Sequence, residues 1–109
     1  MRYIEINKDI VPYMFEIALE GETFQFDVRY NEFGDFWTVD LYKNQELIIQ
    51  GEKLIYGSPL FGNYMHLDIP RVMILPYDTT DKSQRVGYKE LEEDVFLFVV
   101  GDDDVDTTD

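Results

Sequence analysis

A chain of 109 residues suits one domain with a buried core, and 45% hydrophobic residues are typical of a globular protein rather than a disordered one. The formal net charge of −14 and the lack of clustered Lys and Arg argue against direct binding to a nucleic-acid backbone. Because the chain has no cysteine, the sequence excludes disulfides and thiolate metal sites.

The N-terminal segment shows no targeting signal. Residues Met1–Ile6 include Glu5, where a signal peptide requires an apolar run. No stretch of the chain approaches the roughly 20 apolar residues that a membrane-spanning helix needs. We therefore expect a protein that stays in the cytoplasm in which it is made and does not insert into a membrane.

Two runs with a period of two residues predict the first hairpin. Tyr13–Glu20 and Thr23–Tyr30 alternate between large apolar and polar side chains, which is the pattern of a strand with one buried face. Gly21, between the two runs, supplies the positive φ that a tight turn favours. A slip of one residue would move Phe24 and Phe26 into water, so we expect a firmly set register.

Three further runs extend this pattern into an antiparallel meander. Phe36–Lys43 places Trp37 on its inward face, Glu46–Gln50 follows after a turn, and Glu52–Tyr56 is predicted to be a separate short strand or strand end. Carboxylates such as Asp40 fall on the faces that the alternation assigns to solvent.

The next segment, Gly57–Pro70, is rich in turn residues but keeps several apolar side chains. Loops of this composition either fold back over the core or meet a partner, and the sequence leaves both possibilities open. Outward and loop positions give the candidates for protein contacts. These are Tyr42, Tyr56, Leu60, Phe61, Tyr64 and Met65.

Apolar runs in the C-terminal third predict two buried strands, at Arg71–Tyr77 and Asp94–Val100. The intervening segment Asp78–Lys89 is polar and is predicted to be mobile. Of the 23 acids, nine lie within the last 20 residues, which contain no base, so residues 1–89 carry a net charge of only −5. We therefore predict one domain over residues 1–100, followed by a frayed acidic tail at 101–109.

Together these elements predict an all-β, mainly antiparallel fold, a small meander-type barrel or sandwich with a long apolar loop. No catalytic arrangement emerges, because the single histidine, His66, has no cysteine partner and no recognisable serine triad around it. The acidic run Asp102–Asp106 lacks the central glycine and closing glutamate of a calcium loop. We predict no metal, no cofactor and no enzymatic activity.

Five different short motifs within roughly the first 62 residues are familiar from one protein family. They are RYIEI at Arg2–Ile6, RYNE at Arg29–Glu32, FWTVDLY at Phe36–Tyr42, GEKL at Gly51–Leu54 and GSPL at Gly57–Leu60. In these motifs the chain resembles the small baseplate plug proteins of contractile-tailed bacteriophages. The resemblance implies a structural component of a phage or prophage tail baseplate, a plug docked at the hub or tube end within the virion.

The resemblance also implies partners among the baseplate hub or tail-tube proteins, with no direct contact to nucleic acid or membrane, and it brings no catalytic residues with it. The number of copies is left open. Two alternatives remain. The net charge favours an acidic inhibitor that mimics DNA against a host nucleic-acid-binding enzyme, although nine acids cluster at one end. The aromatic residues favour a carbohydrate-binding β module.

Overall fold

The computed structural model describes residues 2–100, so the predicted tail at 101–109 lies outside the described residues. Within this range seven antiparallel strands form two sheets, and one short 3₁₀ helix lies between the first and second strands. The elements are β1 (Tyr3–Ile4), the 3₁₀ helix (Lys8–Ile10), β2 (Tyr13–Leu19), β3 (Glu22–Asn31), β4 (Phe36–Lys43), β5 (Glu46–Lys53), β6 (Met73–Tyr77) and β7 (Phe96–Val100).

The predicted meander is confirmed as a four-stranded sheet in the order β2-β3-β4-β5. Glu20 and Gly21, with φ of 51° and 80°, form the two-residue turn between β2 and β3. Both residues take the left-handed conformation, whose twist matches that of the flanking strands. The pairing then runs without interruption from Leu19 opposite Glu22 to Tyr13 opposite Val28. The register is thus the one that the apolar alternation predicts.

Strand β5 runs through Gly51 to Lys53, so Glu52 and Lys53 form the end of this strand, which is one of the two predicted alternatives, rather than a separate strand. The φ of 74° at Gly51 accompanies a register irregularity against β4. The Gly51 N–H donates to Asp40 Oδ1 at 2.7 Å. Asp40 is buried, and so is Asp27 directly opposite it on β3, although the alternation assigned both positions to solvent.

The second sheet has the order β1-β7-β6, which places the last strand in the middle. The two apolar runs of the C-terminal third therefore pair with each other, as Ile74 opposite Val99 shows. The two-residue strand β1 was not predicted, because it is too short to display an alternation. Pro76 lies within β6, where an edge strand tolerates a residue without an N–H.

Both sheets contribute to one buried hydrophobic cluster, which includes Phe26 and Trp37 from the first sheet and Ile74 and Leu97 from the second. No closed barrel forms within the described residues, so the fold is sandwich-like. The choice between barrel and sandwich had remained open at the level of sequence. It is decided by β7, which pairs with β1 and β6 instead of extending the meander.

The polar segment Asp78–Lys89, which the sequence predicts to be mobile, is held at its start by hydrogen bonds to Asp78. The buried carboxylate of Asp78 accepts backbone N–H groups of Thr80 at 2.8 Å, Lys82 at 2.9 Å and Ser83 at 2.8 Å. The Thr80 hydroxyl adds a bond of 2.6 Å. Led by that hydroxyl, these donors lower the pKa of Asp78 to about 2.

The far end of the segment is held by Asp35, in a group of contacts that we call the Asp35 clasp. Asp35 accepts from the Tyr30 hydroxyl at 2.6 Å, the Arg85 guanidinium at 2.7 Å and the Tyr88 N–H at 2.8 Å. The Tyr30 hydroxyl, followed by the Tyr88 amide and Arg85, holds the pKa of Asp35 well below its usual range. The same bond raises the pKa of Tyr30 to about 12.

Candidate contact surface

The apolar loop between β5 and β6 is anchored to the core at its centre. Leu60 and Phe61 are buried, and the Phe61 ring meets Phe26 edge-on at a centroid distance of 5.9 Å. The Leu60 N–H donates to the Ile74 carbonyl at 2.8 Å, and the Phe61 N–H donates to Glu52 Oε2 at 3.2 Å. The loop is therefore a fixed part of the fold, built on two inward-facing side chains.

Beyond this anchor the loop presents apolar side chains to solvent. Met65 is 79% exposed, Met73 at the start of β6 is 44% exposed, and Leu67 is 37% exposed. They border an open groove of about 550 Å³, which we call the Met65 groove. Its lining comprises Pro59, Leu60, Gly62, Met65, Leu67, Ile69, Pro70, Arg71, Val72 and Met73.

Charged groups hold the end of the loop beside this groove. The Lys43 ammonium on β4 contacts Asp68 at 2.9 Å and Glu22 at 3.2 Å. These two carboxylates, Asp68 first, raise the pKa of Lys43. Arg71 is the charged side chain in the groove lining, and it is exposed. The groove is thus an apolar surface with a cation at its margin.

The predicted contact residues do not form one surface. Leu60 and Met65 line the Met65 groove, and Tyr64 is half-buried against the core beside it. Tyr42 lies on the outer face of the meander, where it lines a separate depression with Met14.

Tyr56 stacks on Tyr77 at a centroid distance of 5.4 Å, and its hydroxyl accepts the Asp78 N–H at 3.2 Å. The contacts that Tyr56 makes in the structure, with Tyr77 and Asp78, are therefore within the chain itself. Leu60 and Phe61 are likewise covered in the free chain, so they shape the loop from below rather than meeting solvent. Of the predicted set, Met65 offers the largest accessible apolar side chain.

Sequence reasoning missed Leu67 and Met73 as members of this surface. Met73 was assigned to a buried strand, yet the burial in β6 alternates between Met73, which is exposed, and Ile74, which is covered. The alternation was hidden because every residue from Val72 to Leu75 is apolar. Phe33, 97% exposed at the β3–β4 loop, was also overlooked.

Within residues 2–100 there is no group of three or more His, Cys, Asp or Glu side chains placed to hold a metal ion. The carboxylates with lowered pKa, Asp35 and Asp78, are accounted for by hydrogen bonds that fix loops. In the same range no helix is long and apolar enough to cross a membrane.

Comparison with known protein families identifies a match over almost the whole chain. The model of a protein family described as cyanophage baseplate Pam3 plug gp18 matches residues 1–103. The match covers both sheets and the Met65 groove, and thus extends well past residue 62, where the sequence motifs end. No curated protein matches the chain.

Proposed function

Since the chain belongs to the family of cyanophage baseplate plug proteins, we propose that it docks at the hub or tube end of the tail baseplate and helps to close the tube before contraction. Its place in the virion is the tail baseplate, and its role there is structural. The finer assignment, to a hub or tail-tube partner and to one docking surface, is our proposal. A plug acts by fitting against its neighbours, so the proposed role requires no reaction.

The Met65 groove carries this proposal. An apolar side chain as exposed as Met65 contributes little to the stability of the free domain, and two methionines in the lining of one groove suit a surface that adapts to a partner. The Leu60 and Phe61 anchors present these side chains on a fixed frame, which lowers the entropy lost on binding. A stable interface covers about 800 Å² per partner, so the groove would form its centre rather than its whole extent.

Charge indicates that the groove takes a different protein rather than a second copy. Two chains that each carry −14 repel one another, which opposes self-association at low ionic strength. Arg71 at the margin of the groove favours a carboxylate of the partner beside apolar side chains. We therefore expect the partner to place an apolar segment with an adjacent acidic group in the groove.

The test is binding of the purified chain to the hub and tail-tube proteins of the same virion, co-expressed and captured together. Replacing Met65 with aspartate (M65D) should weaken capture by at least about tenfold, because a charge would be buried in an apolar contact. The matched control is Phe33→Asp, which places the same charge on an exposed apolar residue of another loop. Equal capture of M65D and wild type, with both folded, would remove the groove from the interface.

A further inference from the structure

Strand β2 is one of the two outer strands of the meander, and no other strand among the described residues 2–100 pairs with its outer edge. Leu19 and Glu22 close a two-residue turn and form a hydrogen-bonded pair, and the pairing alternates from there along all seven residues of β2. The N–H and C=O groups of Met14, Glu16 and Ala18 therefore point away from β3. All three residues are exposed.

The other sheet edges among residues 2–100 are covered, irregular or too short to pair with an added strand. On β6, the Ile74 and Pro76 carbonyls already accept the N–H groups of Leu60 and Gly57, each at 2.8 Å, and Pro76 has no N–H to offer. Strand β5 is interrupted by the irregularity at Gly51, and β1 has only two residues. Bulges, prolines and covering loops are devices that prevent strands from adding to a sheet.

Among residues 2–100, nothing of this kind protects β2 over most of its length. The strand contains no proline and no register shift, and the described residues place the Arg2 guanidinium 3.5 Å from the Ala18 carbonyl at one end. A depression of about 360 Å³ lies beside the strand, lined in part by Met14, Gln25 and Tyr42. We propose that the edge of β2 takes an extended segment of another baseplate protein as an added strand, with one side chain of that segment in the depression.

Glu16 defines the chemistry of this segment. It is the central residue of β2, so antiparallel pairing between two copies would place Glu16 opposite Glu16 at the twofold axis. Like charges directly opposite one another destabilise a sheet, which argues against a second copy. A segment with Lys or Arg opposite Glu16 gains an ion pair at the same position. The geometry therefore favours a basic extended segment over self-pairing.

This contact is separate from the Met65 groove, and it rests on the proposed function only for the identification of the partner as a baseplate protein. The first experiment uses amide hydrogen exchange on the full chain, free and captured by the co-expressed hub and tail-tube proteins. The amides of Met14 and Glu16 should exchange rapidly in the free chain and more than about tenfold more slowly in the complex. Unchanged exchange in the complex would overturn the proposal.

Three variants separate backbone pairing from charge. Glu16→Pro removes an outward N–H without breaking the β2–β3 ladder and should weaken capture by at least about tenfold. Glu16→Thr keeps the N–H and should lose only the part of the affinity that falls with added salt. The control Glu46→Thr removes the same charge from β5, on the opposite edge, and should bind as wild type does. Capture of Glu16→Pro at wild-type affinity would contradict strand addition.

A second measurement tests the edge of β2 without any partner protein. It applies even if the hub and tail-tube proteins do not capture the chain, a result that would refute the proposed function itself. Wild-type chain and the Glu16→Lys variant are each expected to be monomeric in analytical ultracentrifugation. Mixed in equal amounts at about 0.15 M salt, where the repulsion between the net charges is largely screened, they should form a heterodimer that protects the amide of residue 16, because each then supplies the opposite charge. A mixture that remains monomeric at millimolar concentration would refute the preference for a basic segment.

Discussion

Replacing Phe61 with alanine should destabilise the whole domain, although this residue lies in a loop. Phe61 is 1% exposed and packs edge-on against Phe26 in the centre of the core. Truncation of a buried phenylalanine to alanine costs about 3–5 kcal/mol of unfolding free energy, from lost burial and the cavity that remains. Domains of this size are stable by about 5–15 kcal/mol, so the loss is a large fraction of the total.

Urea denaturation followed by tryptophan fluorescence measures this effect directly. Trp37 is the only tryptophan and is fully buried, so unfolding should shift its emission to longer wavelength. With a denaturant slope of about 1.5 kcal/mol per molar urea, the loss corresponds to a midpoint lower by about 2–3 M. The slope itself should change little, since the unfolded chains expose similar areas.

The control is Met65→Ala, four residues further along the same loop. Met65 is 79% exposed, so its truncation should alter the unfolding free energy by less than about 0.5 kcal/mol. A midpoint for Phe61→Ala within about 0.5 M of wild type would refute the anchoring of the loop in the core. The loop would then be an independent flap, and the Met65 groove would lose its fixed frame.

Two further predictions concern pH and backbone conformation. The Asp35 pKa is lowered in the folded state, so the Asp35 clasp contributes stability above the ordinary carboxyl pKa of about 4 and loses it as the pH falls towards the folded pKa. In acid titrations followed by thermal melting, Asp35→Asn should therefore show a smaller decrease in melting temperature below pH 4 than wild type, and an equal decrease would contradict this. Gly51→Ala should lower the unfolding free energy by about 1 kcal/mol, because alanine is strained at a φ of 74° even though no atom lies within 4 Å of the added Cβ. Urea melts check this value, and no change would mean that the strand relaxes to another conformation.

The sequence predicts the meander well because one face of β2, β3 and β4 is apolar along most of its length. Phe24, Phe26, Trp37 and Leu41 are all buried as the period of two requires. The pairing of β7 with β1 could not be inferred, because it joins residues almost a hundred positions apart and two residues show no period. Local pattern therefore specifies the first sheet and leaves the second to tertiary packing.

The contact surface was predicted only in part for a related reason. Composition identified Gly57–Pro70 as an apolar loop, but composition alone does not distinguish Phe61, which faces inward, from Met65, which faces outward. In a loop without a regular period, the direction of each side chain depends on backbone dihedrals such as the φ of 63° at Phe61. The sequence thus identified an apolar loop but did not show that Leu60 and Phe61 are buried in it, and a contact between this loop and a partner stays a prediction.

The central position of β7 bears on how the chain folds during synthesis. The meander pairs neighbouring segments and requires only residues up to about 53, so it is complete long before translation ends. The second sheet joins Tyr3 to Phe98 and cannot close until the last strand has left the ribosome. Until then the inner face of the meander stays uncovered and is available to chaperones or to aggregation. Nonsense mutations ahead of Phe96 should therefore yield an insoluble fragment rather than a shortened plug.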